Sequence, residues 1–225
     1  MQWHKERGEY SLDMRKEERV KGILEYLENE YGEAICTLDY IDPVQLLIAT
    51  RLAAQCTDAR VNIVTKDLFV KYPDIKSFAE CDVLELEQDI KSTGFYHNKA
   101  KNIKDCCQML LSKFGGEVPR TMEELLSLPG VGRKTANLLL GDAFGIPGIV
   151  IDTHAKRLSN RMGLTTNTDP TKIEFDLRKI IPKDKWIDLG HQFVEHGRKI
   201  CDARKPKCDI CGAIGYCKYG QRKKD

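Results

Sequence analysis

The chain has 225 residues, of which 41% are hydrophobic and 31% charged, enough to bury one large core or two smaller ones. Its 36 Lys and Arg nearly balance its 34 Asp and Glu, so the formal net charge is only +2. The first 20 residues are charged throughout, and no apolar run approaches the length of a membrane span. We therefore expect a soluble, intracellular protein without a signal peptide, located in the cytoplasm, or at the nucleoid in a bacterial or archaeal cell.

The positive charge is concentrated at the C-terminal end. Residues 198–225 hold nine Lys or Arg and three Asp, a net charge of +6, so the remaining residues sum to about −4. A basic end on a nearly neutral body is typical of a surface that faces a polyanion. A basic tail that only improves solubility would have the same composition.

Most of the chain has the periodicity of α-helices, beginning with an apolar stripe formed by Val20, Ile23, Leu24, Leu27 and Tyr31. Capping patterns predict helix starts at Asp42-Pro43, at Asp58, at Ser77 with Glu80, and at Thr121 with Glu124. Helix ends are predicted before Pro73, at the glycine pair 115–116, and at Gly163.

The middle of the chain indicates the fold class. Residues 44–54 (VQLLIATRLAA) are apolar almost all round, which predicts a helix at the centre of a bundle. The only strand-like run, GIVI at 148–151, is too short to build a sheet. The predicted class is therefore all-α. Two glycines and a proline at 145–148 mark the best candidate domain boundary.

A sharp hairpin is predicted at residues 128–137 (LPGVGRKTAN), between the helical runs TMEELLSL and RKTANLLLGDAFG. Gly130 and Gly132 permit positive φ angles and leave the backbone bare. If the N–H groups of Gly130, Val131 and Gly132 point outward beside the positive end of the second helix, they form a site for a phosphate. This helix-hairpin-helix pattern is typical of proteins that hold a nucleic-acid backbone without reading its sequence, although a plain turn between two helices would look similar.

Lys134 lies on the first turn after this hairpin. The helix N-terminus and the adjacent Arg133 both disfavour a charged amine at this position. An uncharged lysine can attack carbon and form a Schiff base. The alternative is that Lys134 only contacts phosphate.

Asp152 is the second candidate catalytic residue. In IVIDTHAKRL, residues 149–158, an apolar run delivers this aspartate to the start of a helix, where it would also serve as the N-cap. Brought near Lys134, its carboxylate would accept the proton of the amine and stabilise a cationic, sugar-like transition state.

Nine cysteines in an intracellular protein favour a metal or cluster site over disulfides. Five are scattered through helical stretches and are interpreted as small buried hydrophobic residues: Cys36, Cys56, Cys81, Cys106 and Cys107.

The other four cysteines lie within 17 residues in the pattern C-x6-C-x2-C-x5-C; they are Cys201, Cys208, Cys211 and Cys217. Zinc sites favour paired C-x2-C knuckles farther apart, whereas one such pair with two single arms suits a four-iron cubane. Arg204, Lys205 and Lys207 lie on the loop between the first two cysteines. We expect these side chains to contact DNA phosphates; a merely solvated loop is the alternative.

Taken together, these motifs resemble the endonuclease III family, DNA glycosylase/AP lyases of the base excision repair superfamily named for its helix-hairpin-helix. The resemblance covers roughly residues 20–220 and rests on LPGVGRKTAN, on IDTH at 151–154 where the family has VDTH, and on the cysteine spacing. It implies that Lys134 and Asp152 are the catalytic residues and that the four clustered cysteines bind a [4Fe-4S] cluster. The implied partner is double-stranded DNA with a damaged base or an abasic site, bound by a monomer.

Two further matches imply residues that enter the DNA. AAQCTD at 53–58 resembles the family's SAQATD, whose glutamine fills the gap left by the extruded base; this is Gln55. GFYHNKA at 94–100 resembles GLYNSKA, whose leucine wedges into the duplex. Here Phe95 takes that position, which keeps an apolar wedge but changes its shape.

The resemblance also implies two helical lobes, a six-helix barrel with the hairpin at 36–146 and a cluster domain made of 1–35 plus 147–225. The expected activity is removal of oxidised pyrimidines followed by β-elimination at the abasic site. One alternative is a glycosylase that removes adenine from mismatches, although such enzymes lack the lysine. The others are a non-catalytic DNA-binding module with a structural cluster and an electron carrier.

Overall fold

A computed structural model describes residues 15–32 and 34–222. Within these ranges the chain is helical, contains no β-strand, and confirms the predicted all-α class. The rest of the charged N-terminal segment (1–14), Glu33, and the end of the basic segment (223–225) lie outside the described residues. No helix in the described ranges is long and apolar enough to cross a membrane.

The chain divides into two compact units, which we call the central unit (Cys36–Gly148) and the terminal unit (Met1–Ile35 with Ile149–Asp225). The helices of the central unit are α2 (Pro43–Leu52), α3 (Asp58–Lys71), α4 (Ile75–Glu80), α5 (Val83–Asp89), α6 (Tyr96–Phe114), α7 (Met122–Ser127) and α8 (Arg133–Leu138). Those of the terminal unit are α1 (Lys16–Tyr31), α9 (Thr153–Met162), α10 (Pro170–Arg178), α11 (Trp186–Lys199) and α12 (Lys218–Gln221).

The core of the central unit is built around α2, as its composition predicts. Five of its residues are buried: Leu46, Leu47, Ile48, Ala49 and Leu52. Burying one such aliphatic side chain stabilises the fold by about 1.5–3 kcal/mol, so a helix apolar on every side is most stable when other helices surround it. Asp42 caps this helix by accepting a hydrogen bond from the Gln45 N–H at 2.8 Å, which confirms the predicted start.

The core of the terminal unit joins residues that are distant in sequence. The predicted stripe of α1 is confirmed, with Val20, Ile23 and Leu27 buried and Leu24 and Tyr31 partly buried. It packs in one cluster with apolar residues of α9, α10 and α11: Leu158, Ile173 and Phe193.

The start of α3 differs from the prediction. Its N-cap is Thr57, whose hydroxyl accepts a hydrogen bond from the Arg60 N–H at 3.3 Å. Asp58 is the first helical residue, and its carboxylate accepts a hydrogen bond from the Thr37 hydroxyl at 2.6 Å. The prediction that Asp58 caps the helix is wrong because the cap and its neighbour both carry an acceptor, and the backbone conformation selects Thr57.

Two predicted capping boxes also need correction. The cap of α4 is Asp74, which accepts from the Ser77 N–H at 2.7 Å, so Ser77 is the third helical residue and not the cap. Thr121 does cap α7, since its hydroxyl accepts from the Glu124 N–H at 3.3 Å, but the Glu124 carboxylate accepts from that same hydroxyl at 2.6 Å and not from the Thr121 backbone as in a full box. The predicted helix ends are confirmed, since α3 stops at Lys71, α6 is closed by Gly115 and α9 by Gly163.

Candidate active site and cysteine cavity

The predicted hairpin connects α7 to α8 through residues 128–132. Gly130 has a φ of +72°, and a Cβ there would collide with the guanidinium of Arg51. Gly132 does not use a positive φ; it is the N-cap of α8 at −98°, with open space where a side chain would be. The Val131 N–H donates to the Leu128 carbonyl at 3.1 Å, so the expectation that it points outward is wrong. This N–H is used in a hydrogen bond within the turn and is not available to a ligand.

Arg51 supports the hairpin from the end of α2, and the sequence does not single it out. Its side chain is partly buried, and burial lowers its pKa. Its Nε has no hydrogen-bond partner among the described residues. A guanidinium against a bare glycine places positive charge directly against the backbone of the turn.

Lys134 lies on the first turn of α8, and its side chain is exposed. Its ammonium forms no hydrogen bond or ion pair with any residue in the described ranges. An exposed amine beside the hairpin is therefore available to a ligand.

Asp152 begins α9 in the terminal unit. Ile149 and Ile151 are buried, and this alternation along an extended segment delivers the aspartate to the helix start. Its Oδ1 accepts a hydrogen bond from the Ala155 N–H at 2.7 Å, which confirms the predicted N-cap. Its Oδ2 forms no hydrogen bond with the part of the chain that the structure describes, so one oxygen holds the helix while the other is available for chemistry.

Gln55 and Phe95 share an unusual backbone. They are the two non-glycine residues with positive φ in the described ranges, at +56° and +50°. Each such conformation costs of order 1–3 kcal/mol and is concentrated at functional sites. Both side chains are exposed, and 64% of the surface of Phe95, a large apolar residue, is open to solvent. Phe95 is therefore not the core aromatic that its residue type alone would suggest.

The four clustered cysteines line one cavity in the terminal unit, together with apolar residues such as Met162 and Ile214. All nine cysteines are free thiols. Burial is the main reason that the pKa of Cys211 is raised to about 12, and the other three thiols of the cavity add to it. Such thiols bind as thiolates only when a cationic centre offsets their charge, so the donor set fits a metal cluster. Among the described residues, no group of three His, Cys, Asp or Glu is placed to hold a single metal ion.

Arg161, in the last turn of α9, forms hydrogen bonds with the start of the loop that follows Cys201. The sequence does not predict these contacts. Its guanidinium donates to the Cys201 sulfur at 3.3 Å and to the carbonyls of Asp202 and Ala203, both at 2.7 Å. Arg161 thus connects Cys201 to the backbone of the loop between Cys201 and Cys208, which we call the basic loop because it carries Arg204, Lys205 and Lys207.

The basic loop has a defined shape. The Asp202 carboxylate accepts hydrogen bonds from the backbone N–H groups of Arg204 at 2.8 Å and Lys205 at 3.1 Å. These hydrogen bonds lower the pKa of Asp202, and the bond from Lys205 has the larger effect. Arg204, Lys205 and Lys207 are all exposed. The loop therefore presents three cations to solvent from a fixed backbone.

Three scattered cysteines fit the predicted role as small buried hydrophobic residues. Cys81, Cys106 and Cys107 are buried in the core of the central unit, and burial raises the pKa of Cys106 to about 11. Cys36 and Cys56 are only partly buried.

Comparison with known proteins gives a consistent result. The sequence model of a protein family, the HhH-GPD superfamily of base excision DNA repair proteins, matches residues 48–183 of this chain. Endonuclease III of Synechocystis sp. is 53% identical over 92% of this chain and 94% of its own. A solved non-covalent endonuclease III–DNA complex has a TM-score of 0.89 at 43% identity, covering 94% of this chain and 99% of that one. A solved structure of a trapped endonuclease III–DNA covalent intermediate also has a TM-score of 0.89 at 43% identity, and the match covers 94% of this chain and 100% of that one.

The identity extends over nearly the whole length of both chains, and the fold, the hairpin and the cysteine spacing agree with it. The chain therefore belongs to the endonuclease III family of base excision repair enzymes, the bifunctional DNA glycosylase/AP lyases.

Proposed function

We propose that this enzyme removes oxidised pyrimidines from duplex DNA and cleaves the abasic site through a Schiff base on Lys134. The observation that carries this proposal is the exposed amine on the first turn of α8, next to the hairpin and without a protein partner in the described ranges. Its place beside the hairpin would let the amine meet a sugar whose phosphate the hairpin holds.

The proposed reaction has two bond-breaking stages. The uncharged Nζ of Lys134 attacks the sugar C1′, the C1′–N bond breaks, and the base leaves with a proton. The nitrogen of the adduct then loses one proton, the C1′–O4′ bond breaks and O4′ takes up a proton, which leaves an iminium between Nζ and C1′ that keeps one N–H. Removal of a proton from C2′ then expels the 3′ phosphate and cuts the strand. Water releases the lysine.

Asp152 supplies the proton acceptor and the negative charge in this scheme. Its Oδ2 accepts the proton that Lys134 must lose before attack. Asp152 passes this proton to the departing base, and the negative charge that this restores stabilises the cationic sugar. Its Oδ1 stays on the Ala155 N–H throughout and keeps the carboxylate in one orientation.

DNA contacts follow from the exposed groups. The hairpin at residues 130–132 and the cations Arg204, Lys205 and Lys207 would contact phosphates. Gln55 would fill the gap left by the flipped nucleotide, and Phe95 would wedge beside it. The strained backbone and exposure of these two residues support an inserting role, because each turn pushes one side chain away from the protein. We propose that the enzyme acts as a monomer in the cytoplasm.

Substrate preference is tested with duplexes that each carry one lesion. With an oxidised thymine, the enzyme should release the base and break the strand at the same position, leaving the unsaturated sugar end of β-elimination. A duplex with adenine opposite oxidised guanine is the comparison. Release of adenine from it without strand cleavage, and no reaction with oxidised thymine, would support the adenine-mismatch alternative and contradict the proposal.

We propose that Cys201, Cys208, Cys211 and Cys217 hold a [4Fe-4S] cluster in the terminal unit, and that the central unit carries the hairpin and Lys134. Four thiols around one cavity, with an arginine donating to the Cys201 sulfur, suit a polynuclear centre. The cluster would offset part of the negative charge of the thiolates and fix both ends of the basic loop.

Anaerobically purified protein should be brown and contain about four irons per chain, as expected from four thiolate ligands. Cys211→Ser should lose the colour and the iron because it removes one ligand. Cys36→Ser, at a cysteine outside the cavity, should retain both. A colourless protein with one zinc per chain would contradict the cluster assignment.

A further inference from the structure

Lys99 of α6 is a buried cation in the central unit. Only 4% of its surface is exposed. Its Nζ donates two hydrogen bonds, to the carbonyls of Leu52 and Thr93, each at 2.8 Å. Burial is the main reason that the pKa of Lys99 is lowered; the thiol of Cys56 raises it, and the guanidinium of Arg51 lowers it. Burying an ammonium removes its hydration at a cost in free energy, whereas an apolar side chain would fill this space without that cost. The presence of a lysine here therefore needs an explanation.

The two carbonyls belong to the two strained turns. Leu52 is the last residue of α2 and lies three residues before Gln55; its carbonyl is one that the end of the helix leaves without a partner. Thr93 lies two residues before Phe95. The backbone N–H of Lys99 donates to the Phe95 carbonyl at 3.1 Å, which is the first regular hydrogen bond of α6, so the bond that is specific to the lysine side chain is the one to Thr93.

The left-handed conformations of Gln55 and Phe95 persist only if the surrounding structure enforces them. The turns are 40 residues apart in sequence, and one ammonium ion connects both of them. Charge-assisted hydrogen bonds are about twice as strong as neutral ones, and here the surrounding core excludes competing water. The ammonium of Lys99, which belongs to α6 and to neither turn, thus controls the distance between the tips of the two turns.

We propose that Lys99 is a positioning residue that fixes the two turns relative to each other, so that Gln55 and Phe95 enter the duplex together. This inference rests on the proposed function of these two residues. Lys99 itself does not contact DNA or the reacting atoms.

The test is Lys99→Met, which keeps the length and the apolar stem but removes the ammonium. Excision of an oxidised pyrimidine from duplex DNA should fall about 10- to 100-fold, the equivalent of losing one or two charge-assisted bonds. AP lyase activity on a single-stranded abasic site should remain, because no stack has to be opened. Fluorescence of 2-aminopurine opposite the lesion, which rises when the stack opens, should rise less than with the wild type.

Lys104→Met is the matched control. Lys104 is on the same helix and donates to a backbone carbonyl, that of Cys81 at 2.6 Å, but this bond touches neither turn. Its removal should leave the ratio of duplex to single-strand activity unchanged. An equal loss of both activities in Lys99→Met, or a wild-type fluorescence rise, would overturn the inference.

Lys99→Arg is the second variant if Lys99→Met does not fold. It retains the charge, and two nitrogens of a guanidinium can donate to the two carbonyls, but the planar group differs in shape from the ammonium. A smaller loss, still confined to duplex DNA, is expected. An equal loss of duplex and single-strand activity in Lys99→Arg would contradict the inference.

Gln55→Ala and Phe95→Ala separate this inference from the proposed function. If neither lowers duplex activity, the inserting roles are wrong. If both do and Lys99→Met does not, only the role of Lys99 is wrong. Combining Lys99→Met with Gln55→Ala should add little to the loss of the first change alone; fully multiplied losses would show that Lys99 acts independently of the turn.

Discussion

Lys134→Gln is expected to abolish the covalent protein–DNA adduct that borohydride forms during the reaction. Borohydride reduces the iminium between Nζ and C1′ to a stable amine, and glutamine cannot form that iminium. Strand cleavage should be lost together with the adduct. DNA affinity should be retained, since the hairpin and the basic loop, not this amine, are proposed to hold the phosphates. Denaturing gels measure the adduct, and filter binding measures the affinity.

Lys113→Gln is the matched control, because Lys113 is an exposed lysine in the last turn of α6, outside the hairpin. It should form the adduct as well as the wild type. Persistence of the adduct in Lys134→Gln would show that another amine is the nucleophile. Loss of DNA binding in the same variant would instead assign Lys134 to phosphate contact.

Asp152→Asn should lower base excision by about 10²- to 10⁴-fold without unfolding the protein. Asparagine is as good an N-cap as aspartate, so its side-chain oxygen can still accept from the Ala155 N–H. The substitution removes the negative charge and the proton acceptor. Binding should be at least as tight as in the wild type, because a carboxylate close to a phosphate is repelled. Single-turnover excision and thermal unfolding measure the two effects.

Asp169→Asn controls for the cap itself. Asp169 begins α10 and accepts a hydrogen bond from the Lys172 N–H at 2.9 Å, the same kind of cap as that of Asp152 at an exposed position. Excision should be unaffected in this variant. If Asp152→Asn lost stability and excision in parallel, the carboxylate would be a structural cap and its catalytic assignment would fail.

The sequence by itself determined the features that depend on neighbours along the chain. The all-round apolar pattern of α2 predicts a central helix, and the cap at Asp42 follows from one residue and the proline after it. The hairpin glycines, the first-turn position of Lys134 and the cap at Asp152 are equally local. The cysteine spacing is also a short-range pattern, and all four thiols line one cavity.

Only the tertiary structure decided which distant groups meet. Arg51 lies against Gly130, and Lys99 connects the carbonyls of Leu52 and Thr93, across gaps of up to 79 residues that carry no periodic signal. A contact with a distant residue also bears on one local choice: the Asp58 carboxylate accepts a hydrogen bond from Thr37, and Thr57 caps α3. The physical reason is that a long-range contact depends on the packing of whole helices, whereas capping and periodicity depend on a few adjacent dihedral angles.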